Sequence, residues 1–285
     1  ESSIELSNIE YRIMEQADTW PSPQHILVIL AHPDDPEFFC GATLAKWSRA
    51  GHNITYCLLT CGDKGFNDST TKDMTPADLC ALRHDEQRAA ADVIGVLALH
   101  FLDFEDGYLI PSLDLRREIV RVIRREKPDI LVTCDPQNLF AVYGLNHHDH
   151  RAAGQAVLDA VFPAANNKAF FPELLVEGLE PHMPKEVWCS LTSQPNTVLD
   201  VTDTWHIKLE ALLNHKSQIG DVEKLVKKAK ATKILIDHHL QPEKFAHYMM
   251  CDKKSCSTSQ LVFDFITAMG DKKLINNGEN LCNHF

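Results

Sequence analysis

The sequence predicts an α/β fold: a mostly parallel, Rossmann-like sheet flanked by helices, with an irregular C-terminal portion. Two observations support this prediction. Residues 25–30 form a nearly continuous apolar run, which is typical of a strand buried on both faces. Strand-like runs then alternate with segments of helical periodicity up to about residue 160, and short connections of this kind join parallel strands.

The first half of the chain is predicted to contain four strands and four helices. The strands are expected at residues 25–30, 53–60, 97–104 and 129–134, and the helices at residues 41–50, 76–94, 113–126 and 149–161. The second helix has the clearest ends. Thr75 is a good N-cap, Pro76 suits the first helical turn, and Gly95 can end the helix.

The second half is less regular. Strands are expected at residues 170–179, 186–191 and 198–201, helices at residues 205–213 and 221–230, and a loop-like tail from residue 272. We predict a single α/β domain over residues 22–270. An N-terminal extension, residues 1–21, precedes it, and a C-terminal tail, residues 271–285, follows it.

Composition narrows the classes of partner and compartment. The net charge of −12 with scattered basic residues argues against nucleic acid as a partner, because phosphate neutralisation needs a basic face. No apolar run reaches the length of about 18 residues that indicates a membrane span.

The nine cysteines are an odd number, and three of them (Cys57, Cys134 and Cys189) lie in apolar runs. This usage predicts reduced, buried thiols in a cytoplasmic protein. Cys251 and Cys256 would form only half of a structural metal site.

Two short clusters of histidine and acid carry the chemistry. The segment 31–35, Ala-His-Pro-Asp-Asp, follows the first predicted strand, and the segment 147–150, His-His-Asp-His, lies between the fourth strand and a helix. Ligands in open α/β sheets gather at the carboxyl ends of strands, so both loops can meet there. Taken singly, Pro-Asp-Asp is a common turn and Asp149 is a good N-cap. Together the clusters supply the nitrogen and oxygen ligands of a catalytic Zn²⁺ site with an open position.

These two motifs, Ala-His-Pro-Asp-Asp after the first strand and His-x-Asp-His before a helix, resemble the N-acetylglucosaminylphosphatidylinositol de-N-acetylase family (PIG-L or LmbE-like). The resemblance extends more weakly through residues 60–65, 83–87, 106–108 and 215–218, and it covers residues 24 to 220. It implies an LmbE-like fold and a metal-dependent de-N-acetylase, a hydrolase that acts on a linear amide C–N bond.

The resemblance also implies roles for individual residues. His32, Asp35 and His150 become the metal ligands, Asp34 the general base, and His147 a second catalytic group that faces the substrate carbonyl. His148 stands where the family usually has proline, which places an additional imidazole near the metal.

Further site residues are expected around this centre. Asp149 is expected to act in catalysis by holding the imidazole of His147 charged and oriented. Substrate contacts are expected from Arg83, Asp106, Asp63 and Tyr143. For Arg83 the alternative is an ion pair with Glu86 on the same helix face.

The implied cofactor is Zn²⁺, although Fe²⁺, Co²⁺ or Ni²⁺ also suits the ligand set. The implied partner is a small N-acetylated amino sugar, either a conjugate or a chito-oligosaccharide. Alternatives are a metal-dependent phosphoesterase, another amidase acting on a small polar substrate, and a non-catalytic binding module. The sequence leaves open whether chains assemble as a homo-oligomer. A dinucleotide cofactor is not expected, because no Gly-x-Gly-x-x-Gly follows the first strand.

Overall fold

The computed structural model describes residues 18–68, 70–141, 144–220, 234–237 and 248–251. Its contacts divide the chain into two compact units, Glu1–Gly220 and Asp221–Phe285. The five-stranded sheet and the helices packed on it belong to the first unit. The sequence places the domain boundary later, at residue 270.

The first unit is built on a five-stranded sheet with strand order β3-β2-β1-β4-β7. All four strand pairs are parallel, which confirms the predicted fold class. The central strand is buried in five of its six residues, as its continuous apolar run predicts. The strands are β1 (His25–Leu30), β2 (Asn53–Thr60), β3 (Ala98–Phe104), β4 (Ile130–Cys134) and β7 (Glu186–Ser190).

Helices flank both faces of this sheet. The four long helices are α1 (Asp35–Arg49), α2 (Pro76–Ile94), α3 (Leu113–Glu126) and α4 (His148–Asp159). Thr75 and Gly95 cap α2 as predicted, and a π-helical turn, Ala160–Ala165, continues α4. Apolar residues of α1 and α2 pack on one face of the sheet and those of α3 and α4 on the other.

Helix α1 begins six residues before the predicted start at residue 41. Pro36 lies in its first turn, where the missing N–H costs nothing, and the helix follows directly from the acidic turn. Cys40 has non-helical torsion angles (φ −142°, ψ 15°). The predicted start therefore coincides with the point where regular helical geometry resumes after this kink.

The second half departs from two predictions. Residues 170–179 contain a short helix, α5 (Glu173–Val176), in place of a strand, and residues 198–201 form no strand. Pro172 precedes α5 in helical geometry, so the chain turns at a point where the apolar pattern suggested extension. The predicted strand at residues 186–191 is confirmed as β7.

The smaller elements complete the described chain. A hairpin pairs β5 (Phe140–Ala141) with β6 (Gly144–Leu145), and α6 (Trp205–Leu212) and α7 (Lys216–Ile219) follow β7. In the second unit β8 (Ile234–Asp237) pairs in parallel with β9 (Tyr248–Cys251). The predicted helix at 221–230, the tail and Cys256 lie outside the described residues.

The prediction of reduced cysteines is wrong for one pair. Cys61 and Cys80 form a disulfide, so these two are not the reduced thiols that the sequence predicts. Cys61 follows the last residue of β2 and thus leaves the sheet to meet α2. Cys57 and Cys134 are buried free thiols as expected, whereas Cys189 is exposed because its side chain lies on an edge strand. Among the described helices, none is both long and apolar enough to cross a membrane.

Candidate active site

The two clusters meet at the carboxyl edge of the sheet, where β1 and β4 lie side by side. A cavity of about 650 Å³ opens there. Most of the predicted site residues line it: His32, Asp34, Asp35, Arg83, Asp106, His147 and His150. Asp149 is fully buried behind the cavity, Asp63 does not line it, and Tyr143 lies outside the described residues.

Asp35 lies between the two histidines that the family pattern makes ligands. Its Oδ2 is 3.4 Å from Nδ1 of His32, and its Oδ1 is 3.1 Å from Nε2 of His150. Burial alone would raise the pKa of Asp35, but the neighbouring His150 and His32 hold it far below its ordinary value. The carboxylate is therefore ionised and ready to bind a cation.

The far nitrogen of His32 is held by two acids. Nε2 lies 3.1 Å from Asp106 Oδ1 and 3.3 Å from Asp149 Oδ2. Because both partners accept hydrogen bonds, Nε2 carries a hydrogen, and Nδ1, on the side of Asp35, is the nitrogen that can bind a metal once its own proton has left. Burial lowers the pKa of His32, but the charges of Asp35, Asp106 and Asp149 together raise it well above its ordinary value.

His150 is oriented by Asn146, which lies four residues before it and just ahead of α4. Nδ1 of His150 lies 3.0 Å from Oδ1 of Asn146, whose Nδ2 donates to the carbonyl of Asn138 at 2.8 Å. That second hydrogen bond fixes which end of the amide faces the histidine. Nδ1 is consequently the donor, and Nε2 is left with a lone pair beside Asp35. Two imidazole lone pairs and one carboxylate therefore converge, which fits a Zn²⁺ site with an open position.

His147 has the opposite tautomer to His150. The backbone N–H of Asp149 donates to its Nδ1 at 3.1 Å, so the neutral ring carries its hydrogen on Nε2. One ring nitrogen from each of His32, His147 and His150 lies within 4.8 Å of the other two, but the Nδ1 lone pair of His147 already accepts the N–H of Asp149. His147 is thus built to donate a hydrogen bond beside the metal position.

The expected contact between the Asp149 carboxylate and His147 is wrong. The carboxylate accepts instead from the backbone N–H groups of Gly107 (2.7 Å) and Leu109 (3.2 Å), as well as facing His32. The direction of the His147 pKa also argues against the expectation that Asp149 holds this ring charged. Burial, followed by the neighbouring imidazoles of His32 and His150, lowers the pKa of His147.

Asp149 therefore ties the loop after β3 to the start of α4. Burial would raise the pKa of this carboxyl, but hydrogen bonds from His32, His148 and the backbone of Gly107 hold it well below its ordinary value. His148 donates to Asp149 from an exposed position and does not line the cavity. The position of His148 thus does not support a role as a metal ligand.

Asp34 occupies a strained turn at the cavity wall. Its φ of 100° is rare for a residue other than glycine, and its backbone N–H donates to Gln87 Oε1 at 2.8 Å. Burial raises the pKa of Asp34 to about 6, although Arg83 acts in the opposite direction. A carboxylate with this pKa is ionised at pH 7 and remains basic enough to take a proton.

Arg83 is buried and supports this turn. It donates to the carbonyl oxygens of Gly62 (2.9 Å) and Pro33 and to Asp34 Oδ2 at 3.1 Å. The alternative ion pair with Glu86 is wrong, because the Glu86 carboxylate accepts from the backbone N–H and hydroxyl of Ser217 at 2.7 and 2.6 Å. The structure therefore gives Arg83 a positioning role at the cavity wall.

Several residues that sequence reasoning did not single out complete the site. The cavity wall also includes the following side chains and backbone: Phe38, Phe39, Lys64, Gly65, Gly107, Leu191 and Gln218. Of these, Lys64, Gly65, Gly107 and Gln218 belong to segments that the family resemblance includes. Asn146 and Gln87 were marked in the sequence only weakly. Asn146 lies four residues before His150, and Gln87 lies four residues after Arg83.

Comparisons with known proteins agree with this geometry. The chain matches the PIG-L family, described as GlcNAc-PI de-N-acetylase, over residues 27–161. It is 34% identical over 217 residues to a diacetylchitobiose deacetylase of Thermococcus kodakarensis, covering 76% of this chain and 77% of that relative. It is 27% identical over 200 residues to a Bacillus anthracis protein named "Probable N-acetyl-alpha-D-glucosaminyl L-malate deacetylase 2", covering 69% and 82%.

A solved structure gives the same picture. The N,N'-diacetylchitobiose deacetylase of Pyrococcus horikoshii, complexed with its inhibitor MPG, superposes with a TM-score of 0.64 at 30% identity. The match covers 70% of this chain and 72% of that chain. The fold and site define a metal-dependent hydrolase class, and the chain belongs to the PIG-L family of LmbE-like deacetylases.

Proposed function

We propose that this protein is a zinc-dependent hydrolase that removes the N-acetyl group from an N-acetylglucosamine-type small molecule. One observation carries the proposal: two imidazole lone pairs, on His32 and His150, converge with the carboxylate of Asp35 beside the basic carboxylate of Asp34. The named activities of the relatives support the same reaction class.

His32, Asp35 and His150 would hold the metal ion. When bound, such an ion supplies a Lewis acid that polarises the amide carbonyl and makes nearby water more acidic. Asp34 accepts a proton from the attacking water and passes it to the departing nitrogen. Water adds to the carbonyl carbon, the C–N bond breaks, and acetate and a free amine leave.

His147 acts on the carbonyl oxygen. His147 lines the cavity and its Nε2–H is free to donate, so it can stabilise the negative charge that develops on that oxygen during the addition of water. A nearby cation would further disfavour protonation of a ring whose pKa is already lowered. The role proposed for His147 is therefore electrostatic stabilisation by a neutral imidazole.

The rest of the cavity suits a small polar substrate. Its volume of about 650 Å³ lies within the range of small-molecule sites. Phe38, Phe39 and Leu191 offer apolar surface, while Lys64 and Gln218 offer polar groups for sugar hydroxyls. Asp106 and Arg83 are buried in contacts that shape the cavity wall, whereas Lys64 is exposed and pairs with the exposed Glu105, so we assign substrate contact first to Lys64.

The phosphoesterase alternative needs a second metal ion beside the first. His32, Asp106 and Asp149 form a second acid-rich group. Both oxygens of Asp149 already accept backbone hydrogen bonds, and Nε2 of His32 is the donor in this group. These contacts favour a single catalytic ion and hence the deacetylase.

Amine release from a panel of N-acetylated substrates tests the proposal. The panel contains N-acetylglucosamine, diacetylchitobiose and thiol–sugar or malate–sugar conjugates, each with and without chelator. We expect chelator-sensitive release from at least one member and no hydrolysis of phosphate esters. Phosphate release without amine release would contradict the proposal. A cytoplasmic location also remains part of the proposal, and cell fractionation tests it.

A further inference from the structure

A second cluster of metal-ligating side chains lies outside the active site. The ligand atoms of Cys61, Cys80, His84 and Asp103 all lie within 4.8 Å of one another. The structure holds the two cysteines as a disulfide. We propose that, when this disulfide is reduced, the four side chains bind a structural Zn²⁺ ion.

Three neighbouring elements bring the four ligands together. Cys80 and His84 are four residues apart on α2, so they project from the same helix face. Cys61 comes directly after β2, and Asp103 lies near the end of the adjacent β3. The site would therefore fasten one helix to the ends of two strands.

The backbone directs Asp103 toward this cluster. Asp103 has a φ of 51°, and the pairing of β3 with β2 shifts in register between Leu58 and Thr60. Such irregularities re-aim a side chain at the end of a strand. With this backbone geometry, Oδ1 of Asp103 lies 3.1 Å from Nε2 of His84.

His84 is held in a fixed orientation. Its ring stacks on Phe101, with ring centroids 3.8 Å apart and an angle of 28° between the planes. Nε2 is buried, and its partner is the Asp103 carboxylate at 3.1 Å, at an angle outside that of an ordinary hydrogen bond. A buried, fixed nitrogen within 4.8 Å of two sulfurs and a carboxylate oxygen is placed as a metal ligand would be.

The donor set matches structural zinc. Two thiolates, one imidazole and one carboxylate give four protein ligands, as structural sites have, whereas the catalytic site has three and an open cavity. With Zn–S distances of about 2.3 Å, the sulfurs would lie about 3.8 Å apart across a tetrahedral ion. The 5.1 Å between the Cα atoms of Cys61 and Cys80 allows this separation by side-chain rotation.

The two forms interconvert by a balanced exchange. A dithiol reductant gives two electrons and two protons to the Cys61–Cys80 bond and becomes a disulfide itself. The two thiols then release two protons as they bind Zn²⁺. A reducing compartment, such as the proposed cytoplasmic location, would favour the metal form, and oxidising conditions would favour the disulfide.

Either the disulfide or the metal would act as a clamp, that is, would link α2 to the end of β2 at the wall of the active site. Arg83 lies between Cys80 and His84 in sequence, and it donates to the carbonyl of Gly62, the residue after Cys61. The reduced, metal-free protein would lack this clamp and should unfold at a lower temperature than either clamped form. The inference rests on its own four ligands and does not depend on the proposed deacetylation.

Cobalt loading of the reduced protein tests the inference directly. Wild-type protein is treated with a dithiol without air, freed of metal and titrated with Co²⁺. We expect a near-ultraviolet thiolate-to-cobalt charge-transfer band and two bound ions per chain. The protein with its disulfide intact should bind one ion and lack the band.

Variants assign the band to the cluster. Cys80→Ala and Asp103→Asn should lose or weaken the band, whereas Cys189→Ala, which removes an exposed thiol elsewhere, should keep it. His32→Ala should keep the band and lose the other ion. A disulfide that resists reduction in the folded protein would overturn the inference. So would reduced wild-type protein that binds Co²⁺ without the band, and either result would leave the cluster as a disulfide clamp only.

Discussion

Asn146 offers a test of the metal site that leaves all three ligands in place. Replacing Asn146 by Ala removes the acceptor that fixes the tautomer and orientation of His150. It also removes the 2.8 Å hydrogen bond to the carbonyl of Asn138. Loss of a partner that orients a metal-binding histidine typically weakens metal affinity about 10- to 100-fold. At about 1.4 kcal/mol per tenfold, this corresponds to about 1.4–2.8 kcal/mol of binding free energy.

Competition with a chromophoric chelator measures this effect in protein whose Cys61–Cys80 disulfide is intact. Turnover of Asn146→Ala should recover largely when metal is in excess, because the residue orients a ligand and does not touch the substrate. Gln155→Ala is the matched control, since Gln155 lies on the exposed face of α4, the helix that carries His150, and donates to Asp159. Unchanged metal affinity in folded Asn146→Ala would refute the proposed orientation of His150.

Three further predictions follow from the same contacts. Asp34→Asn should retain metal and lose about 10²- to 10⁴-fold in turnover, because it removes the general base. Asp35→Asn should lose the metal as well. Equal metal content and activity in both variants would contradict these roles. The raised pKa of His32 means that a proton competes with the metal up to a higher pH than for an ordinary histidine, so affinity should rise with pH and level off above that pKa. Titrations at several pH values measure this, and pH-independent binding would count against His32 as a ligand. Gly154→Ala should destabilise the fold by about 1–3 kcal/mol, because a Cβ would lie 2.4 Å from the carbonyl of Cys134, and chemical denaturation measures this loss.

The sheet could be predicted from sequence because its central strands are buried on both faces. Continuous apolar runs identify such strands with little ambiguity, as at β1 and β4. Residues 170–179 show the limit of this signal. An apolar pattern alone did not separate an extended strand from the turn and short helix that Pro172 introduces.

The site was predictable where ligand chemistry is local to a motif. The clusters at 31–35 and 147–150 carry their residues in short, specific patterns, and the sheet edge brings them together. The role of Asp149 was not predictable in this way. Its carboxylate binds backbone N–H groups at Gly107 and Leu109, and no side-chain pattern marks a backbone donor about 40 residues away.

Arg83 illustrates the same limit. Its spacing from Glu86 suggested a helical ion pair, but its actual acceptors are two backbone carbonyls and Asp34. Gly62 permits that contact, since a Cβ there would lie 2.0 Å from Nη1 of Arg83. Such close approaches depend on the folded backbone, so spacing within one helix could not reveal them.

Amine release measured against bound metal tests the central claim most directly. Metal-free protein with its disulfide intact is titrated with Zn²⁺ in the presence of diacetylchitobiose or the best substrate of the panel. We predict that turnover rises in proportion to bound Zn²⁺ and stops rising at one ion per chain, and that Asp34→Asn binds the same ion without comparable turnover. Full amine release by the metal-free protein would contradict the account.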